Sequence, residues 1–342
     1  MTIYKEKNRL LASTNRPRIN PASGRYLWSL VLAAVAAALL AACGSSSNSR
    51  SSASASGGSS GSSTASSLPG KGKPSLTLGS KNFTEELIIG ELYNQYLTHE
   101  GYTVNYKADI GSTEIVDKAL TSGQIDAYPE YLGESFSTVF NDDSAVHSAQ
   151  QEYNTVKREY AKRGQSMSDY TPFEDTDTVA VLKAYAKAHD LHSIGDLKKV
   201  GKFTYAAQPP DLTRFEGVVG LRKVYGLTNL VFKPLAVGLQ YSALDSHDVD
   251  SADAFSTDPQ LDSGKYVVLS DPKHLFGFQN VALVINTKKL QQLGGATFLK
   301  LIDKVNALLT QHAVIELNKA VAIDKQTPTA VAQAFLKANG LT

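Results

Sequence analysis

Residues 119–128 read Ala-Leu-Thr-Ser-Gly-Gln-Ile-Asp-Ala-Tyr, and residues 243–252 read Ala-Leu-Asp-Ser-His-Asp-Val-Asp-Ser-Ala. Both stretches begin as the end of a helix, turn at a serine, and pass into a β-branched residue followed by an acid: Ile125-Asp126 in the first, Val249-Asp250 in the second. Each has an aromatic residue at or just past its end, Tyr128 and Phe255. A helix–turn–strand unit met twice predicts two similar lobes, each offering one such loop. Two generic units of this kind would leave the same echo.

The surroundings extend the pattern. Leu76–Leu78 reads as a strand. Thr84–His99 reads as a helix, with Ile88, Leu92 and Tyr96 four apart on one face and Leu87 beside them. Asn82 with Glu85 three residues on, or Thr84 itself, suits its N-terminal cap. Tyr102–Lys107 is a strand, Gly111-Ser112-Thr113 opens a helix through Leu120, and Gln124–Tyr128 is a short strand. Tyr153–Arg163 is helical, and Val179–Leu182 is a strand. Ile194–Leu197 opens a second unit that continues through Lys202–Ala207. Val281–Ile285 is a further strand, and Leu299–Leu336 is helical with loops at Asp324 and Pro328. Strands alternating with helices imply an α/β fold with mostly parallel sheet. Two such lobes leave a cleft at the strand ends and helix N-termini, where ligands bind.

The ends differ in character from the middle. Residues 1–26 carry Lys5, Lys7, Arg9, Arg16, Arg18 and Arg25 against one acid, Glu6. Leu27–Ala42 is apolar but for Ser29, and it leads to Leu40-Ala41-Ala42-Cys43-Gly44. A basic region, a short apolar core and small residues before a cut mark a secretory signal. The run is shorter than the ~20 residues of a spanning helix. Leu-Ala-Ala-Cys resembles the bacterial lipobox, whose cysteine is lipidated and becomes the new N-terminus, and Cys43 is the chain's one cysteine. An ordinary cleaved signal with a chance cysteine is the plainer alternative. Ser45–Ser67, rich in Ser, Gly and Ala, reads as a flexible tether. The expected organisation is a lipoprotein signal peptide at 1–42 and a lipidated Cys43 with its tether at 43–73. The first lobe is expected at 74–178 plus 283–342, the second at 179–282. Hinge strands are expected near Val179–Val181 and Val281–Leu283.

Charge and motifs exclude several function classes. The chain has 34 Lys+Arg and 33 Asp+Glu; removing the leader leaves 28 against 32. There is no basic block, which argues against nucleic acid. There is no Gly-rich phosphate loop, no His-Glu-x-x-His and no Gly-x-Ser-x-Gly. The histidines lack metal spacing, so neither a cofactor nor a metal is expected, and an enzyme is not the expected reading. Anion capture is better served. Gly79-Ser80-Lys81-Asn82 and Gly111-Ser112-Thr113 both precede helices, whose free N–H groups suit a carboxylate; Lys81 and Thr113 would strengthen such a site. Equally, Ser112 or Thr113 is a simple N-cap and Lys81 a surface residue. Quaternary ammonium ions are held by aromatic faces. Tyr128, Tyr131 and Phe255 stand at strand ends where such a cage is built, although each taken alone fits a core as well.

Four blocks occur in order: Gly79-Ser80-Lys81-Asn82-Phe83-Thr84-Glu85, Gly111-Ser112-Thr113, Gly123-Gln124-Ile125-Asp126-Ala127-Tyr128-Pro129-Glu130-Tyr131, and Asp253-Ala254-Phe255-Ser256-Thr257-Asp258. Together they resemble the substrate-binding proteins of osmoprotectant ABC importers, which take glycine betaine, choline, carnitine or proline betaine. The resemblance runs from about Leu76 to Leu341. It implies a two-lobed fold of the periplasmic-binding-protein type II, with a hinge and an interlobe ligand cleft. It implies that Lys81 and Thr113 meet the ligand carboxylate, with Ser112 beside them among the expected ligand-binding residues, and that Asp126 offers its carbonyl near the ammonium methyls. Tyr128 would form one cage wall, and Arg214, in Thr213-Arg214-Phe215-Glu216-Gly217, would cross from the second lobe to the carboxylate. A two-donor fork suits that task better than a lysine.

The departures are local. Ile110 and Phe255 stand where the family has tyrosines, and Gly277-Phe278-Gln279 replaces a Pro-Pro-Tyr segment. Phe278 or Tyr131 then substitutes in the cage, or Gln279 serves a larger zwitterion such as ergothioneine. The implied partners are a small zwitterionic or quaternary-ammonium ligand, ABC permease subunits, and the membrane through the lipid. The protein is expected to be an extracytoplasmic, lipid-anchored monomer. A transporter-free solute sensor would share the same pocket.

Overall fold

The computed structural model describes residues 68–342 apart from Ala145; the expected signal segment, Cys43 and the Ser/Gly stretch to Ser67 lie outside the described residues. The described structure includes packed residues ahead of the expected boundary at 74. Gly70 is buried, its N–H donates to Glu100 O at 2.9 Å, and a Cβ there would meet Tyr102 N at 2.2 Å. Only glycine allows the chain to lie this close to the Gly101–Tyr102 backbone.

In chain order, β1 (Leu76–Gly79), α1 (Thr84–His99), β2 (Val104–Lys107), α2 (Thr113–Thr121) and β3 (Ala127–Tyr131) come first. A short α3 (Leu132–Glu134) widens into the turn Ser135–Val139, followed by α4 (Ala149–Lys162) and β4 (Gln165–Met167). Then come β5 (Asp177–Leu182), α5 (Lys183–His189), β6 (Phe203–Ala207), the wide turn Phe215–Val219 and α6 (Gly220–Lys223). They continue as β7 (Leu230–Pro234), α7 (Gln240–Asp245), β8 (Ser251–Phe255) and β9 (Tyr266–Leu269). The last part holds β10 (Val281–Asn286), α8 (Thr287–Leu293), α9 (Ala296–Asn306), α10 (Gln311–Ala322) and α11 (Pro328–Ala338). Pro328 is therefore not a loop residue. It is the first residue of α11, where its missing N–H costs no helix bond, and Thr327 Oγ1 accepts from Ala330 N at 3.2 Å to cap the start.

The strands form two five-stranded sheets, β2-β1-β3-β10-β4 and β7-β6-β8-β5-β9. In each, four strands run one way and one runs against them: β10, between β3 and β4, in the first, and β5, between β8 and β9, in the second. The sheets are mixed rather than mostly parallel because β5 and β10 are the strands by which the chain enters one lobe from the other. They enter against the direction of their neighbours. The change-over falls slightly ahead of its expected place. Asp177 and Thr178 pair with Phe255 and Ala254 in the second sheet, and Val281 and Ala282 pair with Tyr131 and Glu130 in the first. The crossing segments are thus residues 174–176 and 277–280, joined by an antiparallel bridge between Glu174 and Asn280.

Period-two alternation sends successive residues of a strand to opposite faces. Leu76, Leu78, Leu283 and Ile285 meet α1 and the C-terminal helices in one buried cluster. Tyr128, Ala282 and Val284 meet Val116, Leu120 and Tyr160 in another. The second sheet is likewise covered on both faces.

The echoed segments hold equivalent places. Asp126 Oδ2 accepts from Thr77 N at 2.8 Å, and Asp250 Oδ2 accepts from Thr204 N at 2.8 Å. Thr77 lies on β1, beside and parallel to β3; Thr204 lies on β6, beside and parallel to β8. Each acid pins the start of a strand to its parallel neighbour.

Candidate functional site

A narrow cleft lies between the two sheets, at the carboxyl ends of their parallel strands. It is lined by Lys81, Asn82 and Phe83 after β1, by Tyr131 at the end of β3, by Ser112 and Thr113 at the start of α2, and by Phe255 at the end of β8. Glu134, Asp175, Asp177, Gln208, Arg214, Val237 and Gln279 complete the wall. Helix α1 begins without a side-chain cap. Neither Asn82 nor Thr84 caps it as expected; Phe83 takes the N-cap position and lends its ring to the cleft. Glu86 Oε2 instead accepts the Lys81 N–H at 3.0 Å.

Three rings form a box. Phe83 and Phe255 lie parallel, centroids 6.0 Å apart at 8°, and Phe83 and Tyr131 are 5.8 Å apart at 40°. Phe83 and Tyr131 come from the first lobe, Phe255 from the second. The Lys81 ammonium sits 4.4 Å from the Tyr131 centroid and 5.7 Å from that of Phe83, so this surface already holds a cation against aromatic faces. Tyr131 is fixed by a hydrogen bond from its hydroxyl to Glu85 Oε1 at 2.6 Å.

Lys81 is buried. Burial by itself opposes its charge, but Glu130, Glu86 and Glu134 outweigh that and raise its pKa. Its Nζ donates to Glu130 Oε1 at 2.5 Å and to Thr113 Oγ1 at 3.3 Å. Ser112 Oγ donates to Glu114 Oε2 at 2.6 Å. Arg214, from the second lobe, donates through Nε and Nη2 to both oxygens of Glu114 at 2.9 Å each. Its Nη1 reaches Glu134 Oε1 at 3.0 Å and Asp211 Oδ1 at 3.2 Å. Burial opposes the guanidinium charge, and the carboxylates of Glu134, Glu114 and Asp211 more than restore it. Asp177 faces the same cleft; burial, with Glu134 and Asp211 nearby, raises its pKa well above the usual range.

Six of the eight residues named from the sequence line this cleft: Lys81, Ser112, Thr113, Arg214, Phe255 and Gln279. Asp126 and Tyr128 do not. Asp126 stands at the opposite end of β3, with Thr77 N and Lys289 Nζ (3.2 Å) on its carboxylate. Tyr128 is fully buried beneath the sheet among Val156, Leu120 and Tyr160, its hydroxyl 3.0 Å from Glu130 Oε2. The echo explains the correction. Counted from the paired acids Asp126 and Asp250, the equivalent of Phe255 is Tyr131, five residues on, and not Tyr128. Gln279 is buried and its amide is engaged: Nε2 donates to Glu216 Oε2 at 2.9 Å and Oε1 accepts Glu134 N at 3.2 Å. It braces the crossing segment. Phe278 lies outside the cleft, so Tyr131 is the ring that completes the box.

Sequence reasoning missed Phe83, Glu134, Asp175 and Asp177 as cleft residues. Phe83 had a usable signal, because it sits in the same strand-to-helix loop as Lys81. The acids had none, because nothing local distinguishes them from surface carboxylates.

Two mixed α/β lobes with an aromatic and charged cleft between them define a solute-binding protein of the two-lobe type. A family model described as the substrate binding domain of ABC-type glycine betaine transport systems matches residues 74–338, and the chain belongs to that family. It is 30% identical to the glycine-betaine-binding protein of Pseudomonas aeruginosa over 279 residues, 78% of this chain and 88% of that one. It is 28% identical to the glycine betaine-binding protein YehZ of Escherichia coli over 81% of this chain and 95% of the other. A crystal structure of a glycine betaine/carnitine/choline ABC transporter protein shares the fold, with a TM-score of 0.62 and 23% identity over 78% of this chain and 99% of that one. These are transport binding proteins, not enzymes.

Proposed function

We propose that the protein is the lipid-anchored receptor of an ABC importer, capturing glycine betaine or a related quaternary-ammonium solute by closure of its lobes and handing it to the permease. The observation that carries this reading is the three-ring box drawn from both lobes, with an ammonium already lying against two of its faces. A permethylated ammonium donates no ordinary hydrogen bond and is held by such faces and by nearby carboxylates. Glu134, Asp175 and Asp177 are the acids on this wall, and a bound cation would favour the ionised form of Asp175 and Asp177 that burial opposes, while Lys81, Ser112, Thr113 and Arg214 are the groups for a ligand carboxylate. The 6.0 Å gap between Phe83 and Phe255 is too small to admit a methylated ammonium between them, which supports an opening step before capture. Because one ring belongs to each lobe, a ligand held between them bridges the lobes and favours an arrangement closed on it, with Phe83 and Phe255 farther apart than the 6.0 Å seen here. Cys43 is the lipid attachment point in this reading.

Calorimetric titration of residues 68–342, purified free of carried-over solute, tests it. Glycine betaine, choline, carnitine and proline betaine are the ligands. Saturable binding of at least one is the expected result. Binding of none removes the quaternary-ammonium assignment. Labelling of the full chain with radioactive fatty acid, lost in Cys43→Ser, tests the anchor.

A further inference from the structure

Arg214 has five N–H donors, and four are already directed at protein carboxylates: two at Glu114, one each at Glu134 and Asp211. A ligand carboxylate gains the fork of this arginine only by displacing one of the three acids. They are not equally displaceable. The side chains of Glu134 and Asp211 are 13% and 6% exposed, so releasing either leaves a carboxylate buried. Glu114 is 44% exposed, and besides the Arg214 pair its carboxylate accepts from Ser112 Oγ. It stands at the first turn of α2, on the cleft rim, and can turn to water without a desolvation cost. Its two bonds to Arg214 also have the bidentate form that a free carboxylate would adopt.

Building on the quaternary-ammonium reading, we propose that Glu114 sets the ligand preference of the cleft: its carboxylate occupies, on Arg214, the position that a ligand carboxylate takes. Solutes with a carboxylate therefore bind in competition with Glu114, and solutes without one do not. The same contact joins the two lobes before any ligand arrives, because Glu114 belongs to the first and Arg214 to the second. Glu114 is thus an internal substitute for part of the ligand. It lowers the affinity for zwitterions relative to simple cations.

The test uses the full chain in detergent, titrated with glycine betaine, which has a carboxylate, and choline, which has none. Wild type is compared with Glu114→Gln and Glu114→Asp. Glu114→Gln is expected to tighten glycine betaine about tenfold, since a charge-assisted pair no longer has to be broken, and to leave choline unchanged or weaker. Glu114→Asp keeps the charge but shortens the arm, so it too is expected to tighten glycine betaine, by less. If glycine betaine gains only in the Gln variant, the effect is one of net charge and the proposal fails. It also fails if glycine betaine binds all three proteins equally or loses affinity in the Gln variant. If neither solute binds any of the proteins, the quaternary-ammonium reading falls and this inference with it. Binding without the gain overturns the inference alone.

Discussion

At the scale of single residues, the cleft depends on which face of a strand a side chain takes. Tyr128 and Tyr131 are three apart on β3 and therefore point to opposite faces. One fills the core under the sheet and the other ends the strand at the cleft. Tyr131→Ala should lower the affinity for the bound solute at least tenfold, since it removes one of three aromatic walls. Tyr128→Phe should leave the affinity within about twofold. It should cost roughly 1 kcal/mol of stability for the lost hydrogen bond to Glu130. Calorimetric titration and chemical denaturation of the two variants separate these outcomes. The sequence placed both tyrosines at a strand end, but it could not say which one the strand's pleat turned toward the cleft.

At the scale of elements, the repeated acid is the most legible feature of the chain. Asp126 and Asp250 each accept the N–H of a parallel neighbouring strand, so the echo in the sequence is the trace of one structural device used twice. Asp126→Ala and Asp250→Ala should each cost about 1.5–3 kcal/mol, the value of a hydrogen bond to a charged acceptor. Neither should change the ligand affinity directly. Denaturant midpoints measured beside binding would check both statements. The crossing segment has a device of its own. Gly277 lies against Glu152 and Glu216, whose oxygens a Cβ there would meet at 2.8 and 3.4 Å, and Gly277 N and Phe278 N donate to these two acids. Burial, with Glu134 and Glu152 close by, lifts Glu216 to about 8. Burial also lifts Glu152 to about 7, against one hydrogen bond from Phe278 N. The folded protein then holds protons that the unfolded chain releases above its ordinary carboxyl pKa near 4.5, so these groups destabilise the fold as pH rises from about 4.5 to 8. Thermal melts should show a midpoint that falls between pH 5.5 and 8. Glu216→Gln, which cannot ionise, should flatten that fall. An unchanged slope would show that Glu216 titrates normally.

At the scale of the whole molecule, ligand binding and lobe position are one equilibrium. Arg214 meets Glu114 and Glu134, and Thr257 Oγ1 donates to Glu85 Oε2 at 2.7 Å, so the second lobe is tied to the first on both flanks of the cleft. A solute that bridges the same lobes should raise the unfolding free energy by about 2.7 kcal/mol at a hundredfold excess over its Kd. The Ser/Gly stretch and the basic, apolar leader bear on where the protein works; they lie outside the described residues. What the sequence determined alone follows from local rules. Helix period, strand alternation and turn residues act over a few positions, and they were enough for two α/β lobes, the extent of α1, the paired acids and the loops that carry Lys81 and Thr113. What only the tertiary structure decided depends on groups far apart in the chain. The direction of β5 and β10 in their sheets, the meeting of Phe83 with Phe255, and the capture of Arg214 by Glu114 a hundred residues away all arise from contacts between lobes. Charge pairing and burial set those contacts, and neither is visible in the neighbours of a residue along the chain.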